Sequence, residues 1–381
     1  MSRIGENIRL RKDGRWEGRY LHCDSAGNTV CKSVYGHSYW MVKEKLIQVA
    51  GHDSNGHEFF SDWALQWLAT RKPPRTKPPT YSQYICKLES HILPRLGRIP
   101  MEKINSDSIN QFALELLENG RLDGNGGLAP KTAKDIISIV LQILHLAYER
   151  GDYRLIGEEL LSIPIPRKEI RVLEIEDEKS LNELLFTATD FGKIGVLLML
   201  YTGIRVGELC ALRYSDIHLQ EGAVSIRRTM ERIRNTNPEI PSKTTIWIGT
   251  PKSISSIRNI PLPTFLIDPI FQCKRRAEPD GYVLTGKSNR YLEPRAFQYR
   301  FKRYLVEAGI ANINLHALRH TFATRCAELA FDHKSLSEIL GHSSVSFTID
   351  RYVHSNFYKK KVQMERQSPA RFSAPPASEV S

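Results

Sequence analysis

Leu315-His316-Ala317-Leu318-Arg319-His320-Thr321-Phe322-Ala323-Thr324 opens the stretch that decides how this chain is read. It runs on through Leu340-Gly341-His342-Ser343-Ser344 and closes on Asp350-Arg351-Tyr352. Asn314 reads as an N-cap, and the residues behind it favour a helix. His316 and Arg319 are then i and i+3 on one helix face, with Cβ atoms roughly 5–6 Å apart. Leu315, Leu318, Phe322 and Cys326 keep helical spacing on the buried side. A second helix, Ser335 to Leu340, ends at Gly341 as a C-cap. His342 follows in a Ser-rich turn, and Tyr352 comes ten positions later. The layout suggests two histidines, an arginine and a tyrosine gathered at one site.

The chain has 381 residues, enough for about two or three domains. Hydrophobic content of 41% and charged content of 25% are ordinary for a globular protein. Lys+Arg number 54 against 42 Asp+Glu, a net charge of +12. That balance favours nucleic acid or an anionic membrane surface. No apolar run could span a bilayer and no basic amphipathic anchor appears, so nucleic acid leads. The opening Met1-Ser2-Arg3-Ile4-Gly5-Glu6 lacks an apolar signal region, so a reduced cytoplasm is expected. The six cysteines are scattered without a Cys-x-x-Cys pair, which indicates neither zinc nor a disulfide framework.

Along the chain, residues 1–50 read as a small module. Two short strands flank Asp13-Gly14, a third runs from Thr29 to Val34, and Lys43 to Val49 reads as a helix. Arg9, Arg11, Lys12, Arg15, Arg19 and Lys32 interleave with Trp16 and Tyr20, a decoration suited to a DNA groove. Gly51 to Glu58 reads as a linker. Helices are expected from Phe59 to Leu68, from Tyr81 behind a Thr80 cap to a break at Pro94, from Asn105 or Ser106 to Leu117, and from Pro130 to Gly151. Phe60, Trp63, Ala64 and Trp67 form one apolar stripe. Ile163-Pro164-Ile165-Pro166-Arg167-Lys168 reads as an exposed interdomain linker. Beyond it, Glu176-Asp177-Glu178 opens a helix, and Gly192 to Tyr201 is an apolar, buried one. Trp247 to Ser253 and Arg258 to Leu262 suggest a hairpin. Gln367 to Ser381 reads as a disordered tail.

Thr202-Gly203-Ile204-Arg205-Val206-Gly207-Glu208-Leu209 carries a second signal. Arg205 starts a helix after a Gly break, where its fork can bind two oxygens of one phosphate. Glu208, one turn on, can pair with an arginine and fix the local geometry.

These residues, together with His316-x-x-Arg319, Leu340-Gly341-His342-Ser343 and Arg351-Tyr352, resemble the tyrosine recombinase (phage integrase) family. The resemblance implies a mixed α/β multidomain fold. It has a small β-sheet N-terminal module (1–50), a helical, SAM-like core-binding domain (59–162), a mainly α catalytic domain with a small β-sheet (170–365) and a tail (366–381). The first module is similar to the arm-site-binding domain of conjugative-transposon integrases. The family's pattern puts Arg205, Lys252, His316, Arg319, His342 and Tyr352 in the catalytic set. Lys252 is chosen over Lys243 because Thr250-Pro251-Lys252 and the later Ile260-Pro261-Leu262 both fit. A phenol of pKa near 10 costs roughly 4 kcal/mol to ionise at pH 7. Two arginines on the phosphate offset part of that. In this reading His316 is the general base, Lys252 the general acid, His342 a phosphate donor and Tyr352 the nucleophile. The 3′-phosphotyrosyl link conserves the bond, so neither metal nor ATP nor any other cofactor is expected. The implied partners are double-stranded DNA at core and arm sites and three further copies in a tetramer that passes through a Holliday junction. An excisionase and a host DNA-bending protein are candidate partners. The expected place of work is the bacterial nucleoid.

Rival readings remain open from sequence. Tyr358 competes with Tyr352 as nucleophile. A zinc site would need a carboxylate or cysteine cluster beside these histidines, and the sequence offers none. A type IB topoisomerase shares the tyrosine chemistry but not the basic N-terminal module. A non-catalytic DNA-binding regulator would have gaps in the catalytic set, and none is seen.

Overall fold

Residues 8–23, 29–37, 41, 42, 45, 46, 59–151, 153, 160–166, 171–187, 190–235 and 242–352 are described by the computed structural model. The chain divides into two units, residues 1–168 with 232–247, and residues 169–231 with 248–381. No helix among the described residues is long and apolar enough to cross a membrane.

The first unit opens with an antiparallel sheet of β1 (Ile8–Leu10), β2 (Trp16–Cys23) and β3 (Thr29–Gly36), in that order. The Asp13-Gly14 turn closes as expected, with Arg11 N–H donating to Arg15 O at 2.8 Å. Period-two alternation separates residues that interleave in sequence. Trp16, Gly18 and Tyr20 share a face covered by Val42 and Leu46; a Cβ on Gly18 would lie 2.5 Å from Val42 Cγ1. Arg9, Glu17, Arg19 and Tyr35 share the opposite face. Arg9 and Arg19 are therefore on the side away from Trp16 and Tyr20, whereas Lys32, directly opposite Tyr20, is on the aromatic side. Glu17 is 3% exposed and pairs with Arg9 (2.7 Å), Arg11 (3.5 Å) and Arg19 (3.1 Å). Burial pushes its carboxyl up, yet hydrogen bonds from Arg9, Arg19 and Ser33 bring it down to about 2. Met41, Val42, Lys45 and Leu46 are helical. The rest of the helix expected over Lys43–Val49, the Asp24–Asn28 turn and the Gly51–Glu58 linker lie outside the described residues.

Helices α1 (Phe60–Thr70), α2 (Pro78–Lys87), α3 (Ser106–Asn119) and α4 (Pro130–Glu149) follow. Phe60, Trp63, Ala64 and Trp67 are all buried, as the stripe predicts. The helix expected behind Thr80 instead begins at Pro78, because proline fits a first turn whose N–H groups have no partners anyway. Nor does Pro94 end it. A π turn, Leu88–Ile92, widens the ladder ahead of a final α turn, Leu93–Leu96, so the missing proline N–H falls where it is tolerated. Asn105 caps α3, accepting from Ser108 N–H at 2.9 Å. The stretch 160–166 has no regular structure, but it is not wholly exposed. Ile163 is buried in this unit's core, and Leu161 N–H donates to Asn110 Oδ1 at 2.8 Å.

The second unit is built around α6 (Phe191–Thr202), whose residues from Gly192 to Leu200 are buried. Asp190 caps it, accepting from Gly192 N–H (2.6 Å) and Lys193 N–H (2.8 Å). Around it pack α5 (Ile175–Thr187), α8 (Ile267–Arg276), α9 (Pro294–Glu307) and α10 (Leu315–Glu328). The short α7 (Val206–Ala211) follows α6 directly, and α11 (His333–Leu340) and α12 (Val345–Tyr352) complete the described chain.

Strand pairing corrects one expectation. β7 (Thr244–Gly249) and β8 (Arg258–Pro261) are not a hairpin. β7 pairs with β6 (Thr229–Arg234), while β8 pairs antiparallel with β5 (Ala223–Ile226), flanked by β4 (Ile217–His218). The reason is burial. Val224 faces Ile260 across the ladder, both at 1% exposure or less, whereas β7 is half-buried throughout and offers β8 no apolar face. Residues 232–247 belong to the first unit, where Arg234 pairs with Glu89 at 2.5 Å.

Candidate active site

Two glycines set the frame. Gly203 ends α6 at φ +64° and Gly341 ends α11 at φ +62°, left-handed positions that favour glycine. The end of α11 carries carbonyls without helical partners and the negative end of the helix dipole. Three arginines from three elements take three consecutive carbonyls there. Arg258 Nε donates to Ile339 O, Arg319 Nη2 to Leu340 O at 2.7 Å, and Arg205 Nη2 to Gly341 O at 3.1 Å. Arg319, 1% exposed on α10, also donates from Nη1 to Gly203 O at 2.6 Å.

Arg205 caps α7, and its side chain is 36% exposed. Glu208 reaches back to it. The carboxylate accepts Arg205 N–H at 2.9 Å and Arg205 Nη1 at 2.8 Å, so the first turn of α7 holds the guanidinium. Arg258 grips the same carboxylate through Nη1 (3.2 Å) and Nη2 (3.0 Å). Burial pushes Glu208 up, but Arg258 and then Arg205 hold its carboxyl below the ordinary value. It is a carboxylate at neutral pH.

His342 is fixed by both ring nitrogens. Arg319 Nη2 is 2.9 Å from Nε2, and Thr348 Oγ1 is 2.7 Å from Nδ1. Arginine can only donate, so Nε2 accepts and Nδ1–H donates to Thr348. Thr348 is fully buried on α12, and Tyr352 ends that helix four positions later. Positions four apart fall on one side of a helix. The side chain of Tyr352 lies outside the described residues, as do Tyr358 and the segment 357–364.

His316 is exposed in the first turn of α10, its ring edge-on to buried His320 with centroids 4.5 Å apart. Lys252 is exposed, in the irregular stretch between β7 and β8. Ser253 and Ser256 link their hydroxyls at 2.9 Å there, and Ser256 Oγ lies 3.5 Å from Gly341 O. Lys243 belongs to the first unit, and the six candidates belong to the second.

Of the six residues named from sequence, Arg205, Arg319 and His342 meet at one turn through direct or shared contacts. The lysine's loop and the tyrosine's helix are tied to that turn by Ser256 and Thr348. His316 stands on the same helix as Arg319. Sequence reading missed Arg258, Thr348 and His320. Only Arg258 had a signal, since Glu208 was expected to take an arginine whose identity the sequence left open.

Comparisons with known proteins place the chain in a family. Residues 172–359 match the Phage integrase family, and residues 59–117 match the phage integrase N-terminal SAM-like domain. A tyrosine recombinase XerC-like protein of Caldanaerobacter subterraneus is 24% identical over 364 residues, 87% of this chain and 90% of that one. The transposase from transposon Tn916 of Enterococcus faecalis is 27% identical over 296 residues, 71% of this chain and 68% of that one. In fold, the chain is similar to the Tn1549 transposon integrase in complex with a circular intermediate DNA, with a TM-score of 0.67 at 19% identity over 81% of this chain and 99% of that one. A lambda integrase tetramer bound to a Holliday junction gives a TM-score of 0.56 at 16% identity, covering 92% and 97%. The chain belongs to the phage integrase family of tyrosine recombinases.

Proposed function

We propose that this protein is a site-specific DNA recombinase that integrates and excises a mobile element by cutting and rejoining DNA through a 3′-phosphotyrosyl intermediate. The observation that carries the reading is the end of α11, where Arg205, Arg319 and His342 converge within a unit that also holds Lys252, His316 and Tyr352. Arg205, partly exposed and preorganised by Glu208, offers its remaining edge to a scissile phosphate. Arg319 supplies a second, buried positive charge beside it. Both stabilise the added charge of the pentacovalent transition state without reorganising during the reaction. His342 now accepts from Arg319, so it becomes a phosphate donor only when Nε2 carries a proton. His316 takes the proton of Tyr352 as that oxygen attacks phosphorus. Lys252 protonates the departing 5′-oxygen. Rejoining reverses these roles, and the scheme calls on neither metal nor ATP.

The same reading assigns residues 1–50 to arm-site DNA, 59–162 to core-site DNA, 170–365 to catalysis, and 366–381 to a tail. The sheet face bearing Arg9, Arg19 and Tyr35, opposite the one covered by Val42, is the better candidate for arm contacts. The working form on DNA is a tetramer on the nucleoid, with an excisionase and a DNA-bending protein as further candidate partners.

Tyr352→Phe tests the core of this proposal. On a nicked suicide substrate the full chain should form a covalent DNA adduct and the variant none, while both shift the DNA in a gel. A persistent adduct would remove Tyr352 and point to Tyr358.

A further inference from the structure

The site holds one carboxylate and two arginines that share it. Arg258 takes Glu208 through both Nη atoms, at 3.2 and 3.0 Å, while Arg205 takes it through one Nη atom and its backbone N–H. The Arg258 side chain is 6% exposed against 36% for Arg205. Of these two, Arg205 is the one that presents an open edge to a DNA phosphate. A lone Glu208–Arg205 pair would be neutral, and a neutral pair is a poor anchor for an anion. With Arg258 present, the trio Arg205, Arg258 and Glu208 carries +1.

Resting on the proposed role of Arg205, we infer that Arg258 is a positioning residue that takes up the Glu208 charge and so leaves the Arg205 guanidinium available to the scissile phosphate. Its other contacts suit the task. Arg258 Nη1 donates to Ser256 O at 2.9 Å and Nε to Ile339 O, so the residue is held between the end of the lysine's loop and the end of α11. Glu208 then serves two purposes. It orients Arg205 from behind, and its charge is cancelled from the buried side. This explains how a guanidinium can be gripped by a carboxylate and still act as an anion receptor.

The test is a charge-suppressor cycle in the full chain, read as the rate of covalent adduct formation on the suicide substrate at saturating DNA. Arg258→Met should slow adduct formation by about 10²-fold, the scale of losing one preorganised charge-stabilising group. Adding Glu208→Gln to that variant should recover about tenfold, since the carboxylate that captures Arg205 is gone. Arg258→Lys should also recover most of the rate, because it restores the charge without the fork. A merely structural Arg258 predicts the opposite for both, with the double variant no faster than Arg258→Met and lysine no better than methionine. Either result, or a wild-type rate in Arg258→Met, overturns the inference. Should Arg258→Met fail to bind DNA or to melt cooperatively, Arg258→Gln, which removes the charge but keeps a hydrogen-bonding group, takes its place, with Arg258→Gln/Glu208→Gln expected to be about tenfold faster than Arg258→Gln and an equal rate overturning the inference. Arg205→Gln separates the two readings. If it still forms adduct at the wild-type rate, the assignment of Arg205 itself fails. If it is inactive and no suppression occurs, only the role of Arg258 fails.

Discussion

Among the described residues, Glu17 and Glu208 are each a buried carboxylate ringed by arginines, and the two clusters behave differently. Glu17 in the N-terminal sheet is 3% exposed and Glu208 beside α11 is 2% exposed. Around Glu17 the arginines are 38–50% exposed, each free to swing toward solvent. Around Glu208 one partner is 6% exposed and fastened to backbone carbonyls on two sides. The sheet therefore gathers long basic side chains at a surface, where they can trade the carboxylate for a phosphate. The second unit instead locks one of them, Arg258, as the proposed phosphate site requires. Burial of the carboxylate alone does not tell the two apart. A buried partner, Arg258, does.

That difference predicts the largest effect. Glu208→Leu strands Arg258 as a buried, unpaired cation and should cost about 3–5 kcal/mol of unfolding free energy. Glu17→Leu leaves arginines that can turn to water and should cost about 1 kcal/mol or less. Urea unfolding of both variants measures this. Equal losses would mean that the exposure of the partners does not govern the worth of the ion pairs.

The same contrast shows what could be read from sequence. The helices of both units follow from periodicity and caps, and His316-x-x-Arg319 is a purely local pattern. Gly341 and its turn were legible because a left-handed helix end favours glycine. The lysine's setting was not. Which strand pairs with β8 depends on Val224 meeting Ile260, a contact 36 positions apart that no local window contains. Arg258 was hidden for the same reason, since Glu208 finds it 50 positions on. The separation of Arg9, Arg19 and Tyr35 from Trp16 and Tyr20 was present in the sequence as a period of two. Pro94 misled because a π turn can absorb a proline that a regular helix cannot.

A smaller effect sharpens the comparison at the locked site. Gly341→Ala places a Cβ at φ +62° and 3.1 Å from Arg258 Nη1. The backbone term is about 1 kcal/mol. Because Arg258 cannot move away without releasing Glu208, the larger consequence should be on adduct formation, with DNA binding intact. Stability that falls while the cleavage rate holds would show that the turn tolerates displacement.

The smallest effect concerns acid. Glu17 is held near about 2 in the folded sheet against an ordinary 4.5, so its folded value lies below its unfolded one. A group of that kind contributes stability that is complete above the unfolded value and is lost as pH falls through the folded one. The difference in urea midpoint between the wild type and Glu17→Gln should be flat above pH 4.5 and shrink steadily as the pH drops toward 2. Partial exposure of its arginines keeps the whole effect small, and added salt should reduce it further by screening them. The locked carboxylate should resist such screening, because Arg258 is out of reach of the ions. A salt response at Glu208→Gln as large as that at Glu17→Gln would mean that the second cluster is as open as the first, and would remove the physical distinction between them.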